Sequence, residues 1–357
     1  MRLFAILALL APLARSALPH KGVDWSSLLL LEAHGQTYKT PAGQTQPLEN
    51  ILRASGVTMV RQRIWVNPTA DNGAYNLDYN LRLARRAHAA GLAVYLDFHY
   101  SDTWADPGKQ GTPAAWAALG RDALVAQLGA YTKSVMDAFQ NEGLPLALVS
   151  IGNEITPGLL FPTGELARAD GPRNVAALLH AAATAIRTSA MAPQPKIMIH
   201  LDNGWKWDTQ QWWYDRVLGS GGGLAAADFD VQGVSYYPFY NAGASLAALS
   251  ASMANMARKY GKEVMVVETN WPSWCPNPKY AFPSDVKAIP VSVEGQTKWV
   301  REVARRVAEV PGGKGTGLFY WEPAWIGNAG LGSSCGWNLM VGEDGKAMES
   351  LAVFGSI

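Results

Sequence analysis

Two glutamates follow apolar runs that predict buried strands, and their positions favour hydrolytic chemistry. Glu154 ends the run in "ALVSIGNEITPG", and Glu268 ends the run in "EVMVVETNW". Carboxylates are almost never fully buried unless they are paired, so each needs a reason to stand at the end of a core strand. A single such Glu is more often an ion-pair partner or a helix cap. Two at matching strand ends suit glycoside hydrolysis, in which one carboxyl protonates the leaving oxygen and the other attacks or activates water.

Further polar and aromatic residues follow the other predicted strands. Arg61 and Arg63 alternate along "VRQRIW" and therefore share one face of a strand. The other candidates are His99, Asp102, Asn153, His200, Asp202, Asn203, Tyr236, Tyr237, Trp321 and Glu322, with Trp104, Trp271 and Trp325 beside them. Such a ring suits a sugar ligand, because sugars offer hydroxyls for hydrogen bonds and apolar faces for stacking.

A metal site is the alternative interpretation of some of these residues. Asp97, His99, His200 and Asp202 have side chains that bind catalytic metals in other proteins. No H-E-x-x-H motif or similarly tight ligand spacing supports this alternative. We therefore expect no metal and no cofactor.

Eight short apolar runs alternate with amphipathic or polar stretches along the chain. The runs are "GVDWS", "VTMVRQRIW", "LAVYLDFHY", "LALVSIGNE", "KIMIHLDN", "FDVQGVSYY", "EVMVVETNW" and "TGLFYWEPAW". Helical patterns begin at Tyr79, Ser245 and Glu294. This alternation predicts a single α/β domain, a (β/α)8 TIM barrel, whose active site lies at the carboxyl ends of the strands. Glu154 and Glu268 would then end the fourth and seventh strands and face one cleft.

An open, doubly wound sheet is the competing topology. Such a sheet usually carries a phosphate-binding loop after its first strand, and "GVDWSS" offers none. "GGKGTG" at Gly312 precedes a strand instead of opening a helix, so we interpret it as a helix-to-strand turn. The tryptophans of "QQWWYDRV", from Gln210, have helical spacing and are expected to pack in the core.

The composition excludes several classes of partner. The 357 residues include 30 Lys and Arg against 29 Asp and Glu, without a long polybasic run. Nucleic acid and anionic membrane surfaces are therefore not expected partners. We expect a monomer that acts on a neutral ligand.

The beginning of the chain predicts export. "MRLFAILALLAPLARSA" has an early basic residue, an apolar segment and small residues, so we interpret residues 1–16 as a secretory signal peptide and residues 17–357 as the catalytic barrel. A membrane anchor is the alternative, but the apolar segment is shorter than the roughly 20 residues that span a bilayer. In an extracellular protein, Cys275 and Cys335 are expected to form a structural disulfide bond.

Several motifs together resemble a known enzyme family. "VRQRIWVNP", "YLDFHYSDTWADP", "SIGNEI", "IMIHLDNGW", "SYYPFY", "VVETNWP" and "FYWEPAW" are similar to segments of the arabinogalactan endo-β-1,4-galactanases of glycoside hydrolase family 53. The resemblance runs from about Gly22 to the end of the chain. It implies a retaining endo-hydrolase that cuts the β-1,4-linked galactan side chains of pectin.

The resemblance also implies roles for individual residues. Glu154 matches the acid/base and Glu268 the nucleophile of the family. Asn153 matches the residue that contacts the sugar 2-hydroxyl, and Tyr237 matches the hydrogen-bond partner of the nucleophile. The residues that match the supporting ring at the cleft floor are Arg61, His99 and Trp321.

The fungal branch of the family is the better match. Bacterial relatives hold the loop after the eighth strand with calcium, whereas the fungal type uses a disulfide bond. Cys275 follows the seventh strand and Cys335 follows the eighth, which indicates the fungal type.

The substrate is the least direct expectation. An axial 4-hydroxyl distinguishes galactose from glucose, and the candidates to contact it are Asp102, His200 and Asp202. The candidate stacking platforms are Trp104, Trp271 and Trp325. Two alternatives stay open. One is a sister glycanase that cuts mannan or cellulose, and the other is a binding barrel that has lost catalysis, although both glutamates are present.

Overall fold

Eight parallel strands close into a barrel in the computed structural model, which describes residues 17–357. The strands are β1 (His20–Asp24), β2 (Met59–Ile64), β3 (Ala93–Phe98), β4 (Leu148–Ile151), β5 (Lys196–Leu201), β6 (Val231–Ser235), β7 (Glu263–Glu268) and β8 (Gly315–Tyr320). Each strand pairs with its neighbours in the chain, and β1 pairs with β8 to close the barrel. The (β/α)8 fold predicted from the eight apolar runs is confirmed.

Helices surround the barrel and connect its strands. They are α1 (Leu28–Ala33), α2 (Leu48–Ala54), α3 (Leu77–Ala89), α4 (Arg121–Asn141), α5 (Gly171–Arg187), α6 (Trp207–Leu218), α7 (Leu246–Tyr260) and α8 (Val293–Ala308). After β8, the 3₁₀ segment Glu349–Gly355 packs against α8. This segment takes the position of the helix that would follow β8 in the outer layer.

The three helices predicted from apolar periodicity begin where side chains can cap them. Asn76 accepts a hydrogen bond from the Tyr79 amide before α3, Ser245 caps α7, and Ser292 caps α8. Such caps satisfy amides that have no partner within the helix. The capping residues therefore fix where each connection enters its helix.

Large apolar side chains fill the amino-terminal part of the barrel interior. They are Met59, Tyr95, Leu148, Met198, Val231, Met265, Val267 and Phe319. Gly22 makes room for this layer, because a Cβ at that position would lie 2.1 Å from the Phe319 ring. The charged residues of β2, β3 and β7 follow towards the carboxyl ends, so the apolar layer forms the base on which they rest.

The loops at the carboxyl end are held by local links. A disulfide bond joins Cys275 after β7 to Cys335 after β8, across a sequence separation of 60 residues. After β4, Gly158–Leu159 and Gly164–Glu165 form a short antiparallel pair. "GGKGTG" is the predicted turn between α8 and β8.

Two sequence-based expectations concern helices and membranes. In α6, Trp213 is buried as predicted, whereas Trp212 is 43% exposed because it lies on the outer face. Among residues 17–357, no helix is long and apolar enough to cross a membrane. The predicted signal peptide, residues 1–16, lies outside the described residues.

Candidate active site

The two strand-end glutamates meet in one cleft of about 590 Å³ at the carboxyl end of the barrel. A carboxylate oxygen of Glu154 and one of Glu268 lie within 4.8 Å of each other. Glu268 is the last residue of β7, and Glu154 follows β4 in a left-handed backbone conformation with φ 49°. Parallel strands bring their carboxyl ends to one edge, which explains how residues so far apart in sequence converge.

Glu268 is held by a cation and a hydroxyl. Its Oε1 lies 2.8 Å from Nη2 of Arg61, and its Oε2 accepts a hydrogen bond of 2.8 Å from the Tyr237 hydroxyl. Burial raises the pKa of Glu268, but Arg61 and Tyr237 oppose that rise because both stabilise the ionised carboxylate. Both of its oxygens are therefore fixed in place, with a charge-assisted contact on one of them.

Glu154 has a different environment, in which the neutral acid is favoured. Burial, and then the charges of Glu268 and Asp202, raise its pKa well above the usual range, while a hydrogen bond from Ser235 opposes the shift. The Ser235 oxygen lies 2.9 Å from Nε2 of His200. Because burial lowers the pKa of His200 to about 3, this imidazole is neutral and can donate its Nε2 proton to Ser235.

Arg61 connects the nucleophile side of the cleft to the barrel interior. Its Nη1 lies 2.7 Å from Asp24, and its Nη2 donates to Asp97 at 2.8 Å and to the Asn153 Oδ1 at 2.7 Å. Arg61 is 1% exposed, so its charge is balanced almost entirely by these carboxylates and Glu268. Truncation of Arg61 would remove the cation that these three carboxylates share.

His99 lies beneath the cleft and supports Asp97. Its Nδ1 accepts hydrogen bonds from the Trp65 indole at 3.2 Å and the Ala105 amide at 3.1 Å. Its Nε2 therefore carries the proton and faces Asp97 at 3.1 Å. Burial lowers the pKa of His99, which keeps the ring neutral. His99 thus holds Asp97 against Arg61 and does not line the cleft.

Tryptophans form one wall of the cleft. Trp104 and Trp325 stack with ring centroids 6.1 Å apart, and Trp321 meets Trp104 edge-on at 5.8 Å. Beneath them, the buried Arg63 guanidinium lies 4.6 Å from the Trp104 ring and pairs with Glu322 at 2.7 Å. The underside of this aromatic wall is therefore cationic and its upper side is open.

Three predicted ligand contacts do not reach the cleft. Trp271 is 1% exposed, stacks on Trp299 with centroids 4.9 Å apart, and donates its indole N–H to the Pro290 carbonyl. Asp102 accepts hydrogen bonds from two backbone amides in neighbouring loops. His200 is fully buried and touches Ser235 instead of the open space. We therefore correct these three expectations, because each side chain is already used within the protein.

Four of the other predicted residues line the cleft, together with several residues that were not predicted. Asn153, Asp202, Tyr237 and Trp321 line the cleft. Sequence reasoning missed the following lining residues: Asp106, Lys109, Ser235, Phe239, Tyr240, Asn270, Asn328 and Leu331. The alternation of side chains along β6 carried a signal for Ser235, since it puts Ser235 on the same side as Tyr237. Tyr236 points away and bonds the Ala244 carbonyl.

One trio among the described residues could offer ligands to a metal ion, namely Glu154, His200 and Glu268. The set considered from sequence, which combined Asp97 and His99 with His200 and Asp202, does not converge in this part of the chain. Two members of the trio are the paired carboxylates themselves. The same atoms therefore serve either proton transfer and nucleophilic attack or metal binding.

Comparisons with known proteins show the family of the chain. The model of the glycosyl hydrolase family 53 matches residues 20–354. A probable arabinogalactan endo-beta-1,4-galactanase A of Aspergillus fumigatus is 55% identical over 346 residues, covering 97% of this chain and 95% of that protein. The arabinogalactan endo-beta-1,4-galactanase of Thermothelomyces thermophilus is 56% identical over 338 residues, covering 95% and 99%. A solved structure of a fungal beta-1,4-galactanase superimposes with a TM-score of 0.92 at 56% identity, covering 96% of this chain and 100% of that one.

Proposed function

We propose a function for this chain from the premise that it belongs to glycosyl hydrolase family 53 and is a glycoside hydrolase. The proposed function is that of a secreted, monomeric endo-β-1,4-galactanase. Its proposed substrate is the galactan side chains of pectin, type I arabinogalactan. The names of the relatives, which share more than half of their residues with this chain, support the substrate. The basic and then apolar beginning of the chain supports secretion of residues 17–357 after removal of residues 1–16.

The observation that carries the mechanism is the close approach of two carboxylates with unlike surroundings. Retaining glycosidases place their carboxyl groups roughly 5 to 5.5 Å apart, whereas inverting enzymes need about 6.5 to 9.5 Å for an intervening water. Oxygens of Glu154 and Glu268 lie within 4.8 Å, which supports retention. We assign Glu268 as nucleophile and Glu154 as acid/base, because Arg61 and Tyr237 favour an ionised Glu268 while Glu154 faces two like charges.

The reaction then proceeds in two displacements. Glu268 attacks the anomeric carbon while Glu154 gives its proton to the departing glycosidic oxygen, so the C–O bond to the aglycone breaks as the glycosyl ester forms. In the second step Glu154 takes a proton from water, and the resulting hydroxide displaces Glu268. Arg61 and Tyr237 hold the Glu268 oxygens throughout, so little reorganisation is needed as charge moves.

Asn153 is proposed to bind the sugar 2-hydroxyl. Its Oδ1 accepts from Arg61, and its Nδ2 donates one hydrogen to the Ala105 carbonyl at 2.8 Å. The second amide hydrogen stays available to the ligand. Asp202, which lines the cleft, is the candidate for the axial 4-hydroxyl, and the tryptophan wall supplies stacking surface.

Product stereochemistry tests the mechanism directly. NMR of the first-formed oligosaccharide should show the β-anomer, and an α-anomer would contradict the assignment of Glu268. With an aryl galactoside substrate, azide should rescue Glu268→Ala to give the inverted glycosyl azide and Glu154→Ala to give the retained one. The exposed Glu294, which pairs with Lys298 on α8, offers a matched control whose alanine variant should keep full activity.

A polysaccharide panel tests the substrate. Linear β-1,4-galactan should be cut at least about a hundredfold faster than β-1,4-mannan, soluble cellulose or β-1,3-galactan, because a misplaced hydroxyl leaves buried polar groups unpaired. Comparable cleavage of mannan or cellulose would instead indicate a sister glycanase. The same assay after prolonged EDTA should show full activity, and a loss that a divalent ion restores would favour metal binding by Glu154, His200 and Glu268.

A further inference from the structure

Exposed aromatic side chains concentrate at the carboxyl end of the barrel. Within residues 17–357 the exposed large hydrophobic residues are Trp212, Tyr240, Trp274, Tyr280 and Val291. Tyr240 follows β6 and lines the cleft. Trp274 and Tyr280 belong to the loop after β7, and Trp274 is the most exposed of the five at 61%. An indole this exposed offers a flat apolar surface on which a ligand can stack.

Trp274 is held rigidly despite its exposure. Its carbonyl accepts hydrogen bonds from the Gly336 and Trp337 amides, at 3.1 and 3.2 Å. The next residue, Cys275, is bonded to Cys335. The indole lies directly on Gly336, where a Cβ would come within 2.1 Å of two ring atoms. One face of the ring is therefore fixed on backbone and the other is presented to solvent, so little conformational entropy would be lost on binding.

Trp274 belongs to a pair of linked loops, one of which also lines the cleft. Leu331 and Gly332 line the cleft, and the same loop reaches Cys335 three residues later. Ser334 ties this loop to the β7 loop by accepting a hydrogen bond from the Lys279 amide at 3.0 Å. The loops after β7 and β8 thus form one cross-linked unit that has cleft-lining residues at one end and the exposed indole at the other.

We propose that Trp274 is a distal sugar-binding site, which stacks on a galactosyl residue of the polysaccharide beyond those held in the cleft. This inference rests on the proposed galactanase function, since that function supplies a chain long enough to leave the cleft. The axial 4-hydroxyl of β-galactose leaves one ring face covered only by C–H groups, and such a face packs on an aromatic ring. A neutral sugar needs no charged partner, and the open face of Trp274 has none within the contacts described.

Kinetics on long and short substrates test the site. For Trp274→Ala, KM for long linear galactan should rise about threefold to tenfold, the range that one aromatic stacking contact supports. The kcat on the polymer, and both constants on a short galacto-oligosaccharide confined to the cleft, should stay unchanged. Trp274→Phe keeps an aromatic face and should retain most of the affinity for the polymer.

Trp212 offers a matched control. It is exposed on α6, outside the cleft, so Trp212→Ala should leave KM unchanged for both substrates. An unchanged polymer KM in Trp274→Ala, or an equal loss on polymer and short oligosaccharide, would overturn the distal site. Failure of the proposed function is a separate result, because the wild-type enzyme would then release no oligosaccharide from galactan at all.

Discussion

Ser235 tests how the protein keeps Glu154 poised as an acid. Its hydroxyl hydrogen-bonds to Glu154, and its oxygen lies 2.9 Å from Nε2 of His200. A donor to a carboxylate favours the ionised form, so Ser235 partly opposes the forces that raise the pKa of Glu154. Removal of the hydroxyl in Ser235→Ala should raise that pKa further.

The size of the shift follows from the strength of the lost contact. A hydrogen bond to a charged group contributes about 1.5 to 3 kcal/mol, and each pKa unit corresponds to about 1.4 kcal/mol. Because Glu154 is partly exposed, its side chain can relax and recover some of the lost contact with water. We therefore expect Ser235→Ala to raise the pKa of Glu154 by about one unit. The basic limb of kcat/KM reports the essential acid of the free enzyme and should move to higher pH by the same amount.

The assay is kcat/KM for galactan between pH 3 and 9, measured on the wild type, Ser235→Ala and a control. Ser252 is a suitable control because it is also fully buried but lies on α7, outside the cleft. Ser252→Ala should leave both limbs of the profile in place. A basic limb of Ser235→Ala that stays fixed, or that moves to lower pH, would refute the role of this hydroxyl.

Three other perturbations have expected outcomes. Tyr237→Phe removes the hydroxyl that donates a 2.8 Å hydrogen bond to the nucleophile Glu268. Because that bond stabilises the ionised carboxylate, kcat/KM should fall by about tenfold to a hundredfold and the acid limb of its pH profile should move to higher pH. An acid limb that does not move would contradict this expectation. Replacing both Cys275 and Cys335 with Ser should lower the free energy of unfolding, measured in urea, by about 4 kcal/mol. This is the value expected if the disulfide bond stabilises the protein by closing a loop of 60 residues in the unfolded chain, and an unchanged free energy of unfolding would contradict that explanation. Burial raises the pKa of Glu322 to about 7, so the folded protein binds a proton on this carboxylate more tightly than the unfolded chain does. The free energy of unfolding of the wild type should therefore fall by up to about 3 kcal/mol as the pH rises from 4.5 to 7. Glu322→Gln cannot bind this proton, so its free energy of unfolding should not show that fall with pH. Identical pH profiles of the free energy of unfolding for the variant and the wild type would contradict this expectation.

The barrel was predictable because its signal is local and repeated. Each strand is a short apolar run buried on both faces, and the alternation with helices leaves few other topologies. The same topology predicts that strand ends converge, which is why Glu154 and Glu268 could be paired across more than a hundred residues. Arg61 lies within β2 and Tyr237 follows β6 by two residues, and their proposed roles came from the resemblance to the family and not from the topology.

Side-chain direction after a strand end was not predictable. Trp271 comes three residues after Glu268, yet it turns outward to stack on Trp299 between β7 and α8. Asp102 could equally be a ligand contact or a loop anchor in the sequence, and only the three-dimensional structure shows the two amides that it accepts from. Short polar residues such as Ser235 also carry little signal by themselves, because serine is common in many environments.

The unlike surroundings of the two glutamates also bear on the second half of the reaction. The pKa of Glu154 is raised first by burial and then by the negative charge of Glu268. When Glu268 becomes a glycosyl ester it loses that charge, so one cause of the raised pKa disappears at the moment when Glu154 must change from acid to base. Burial and the charge of Asp202 remain, and they keep the pKa of Glu154 high enough for it to accept a proton from water. The contact of Arg61 with Asp24 and Asp97 keeps its guanidinium in place for the returning carboxylate. The loss and return of one charge on Glu268 can therefore favour each protonation state of Glu154 in turn.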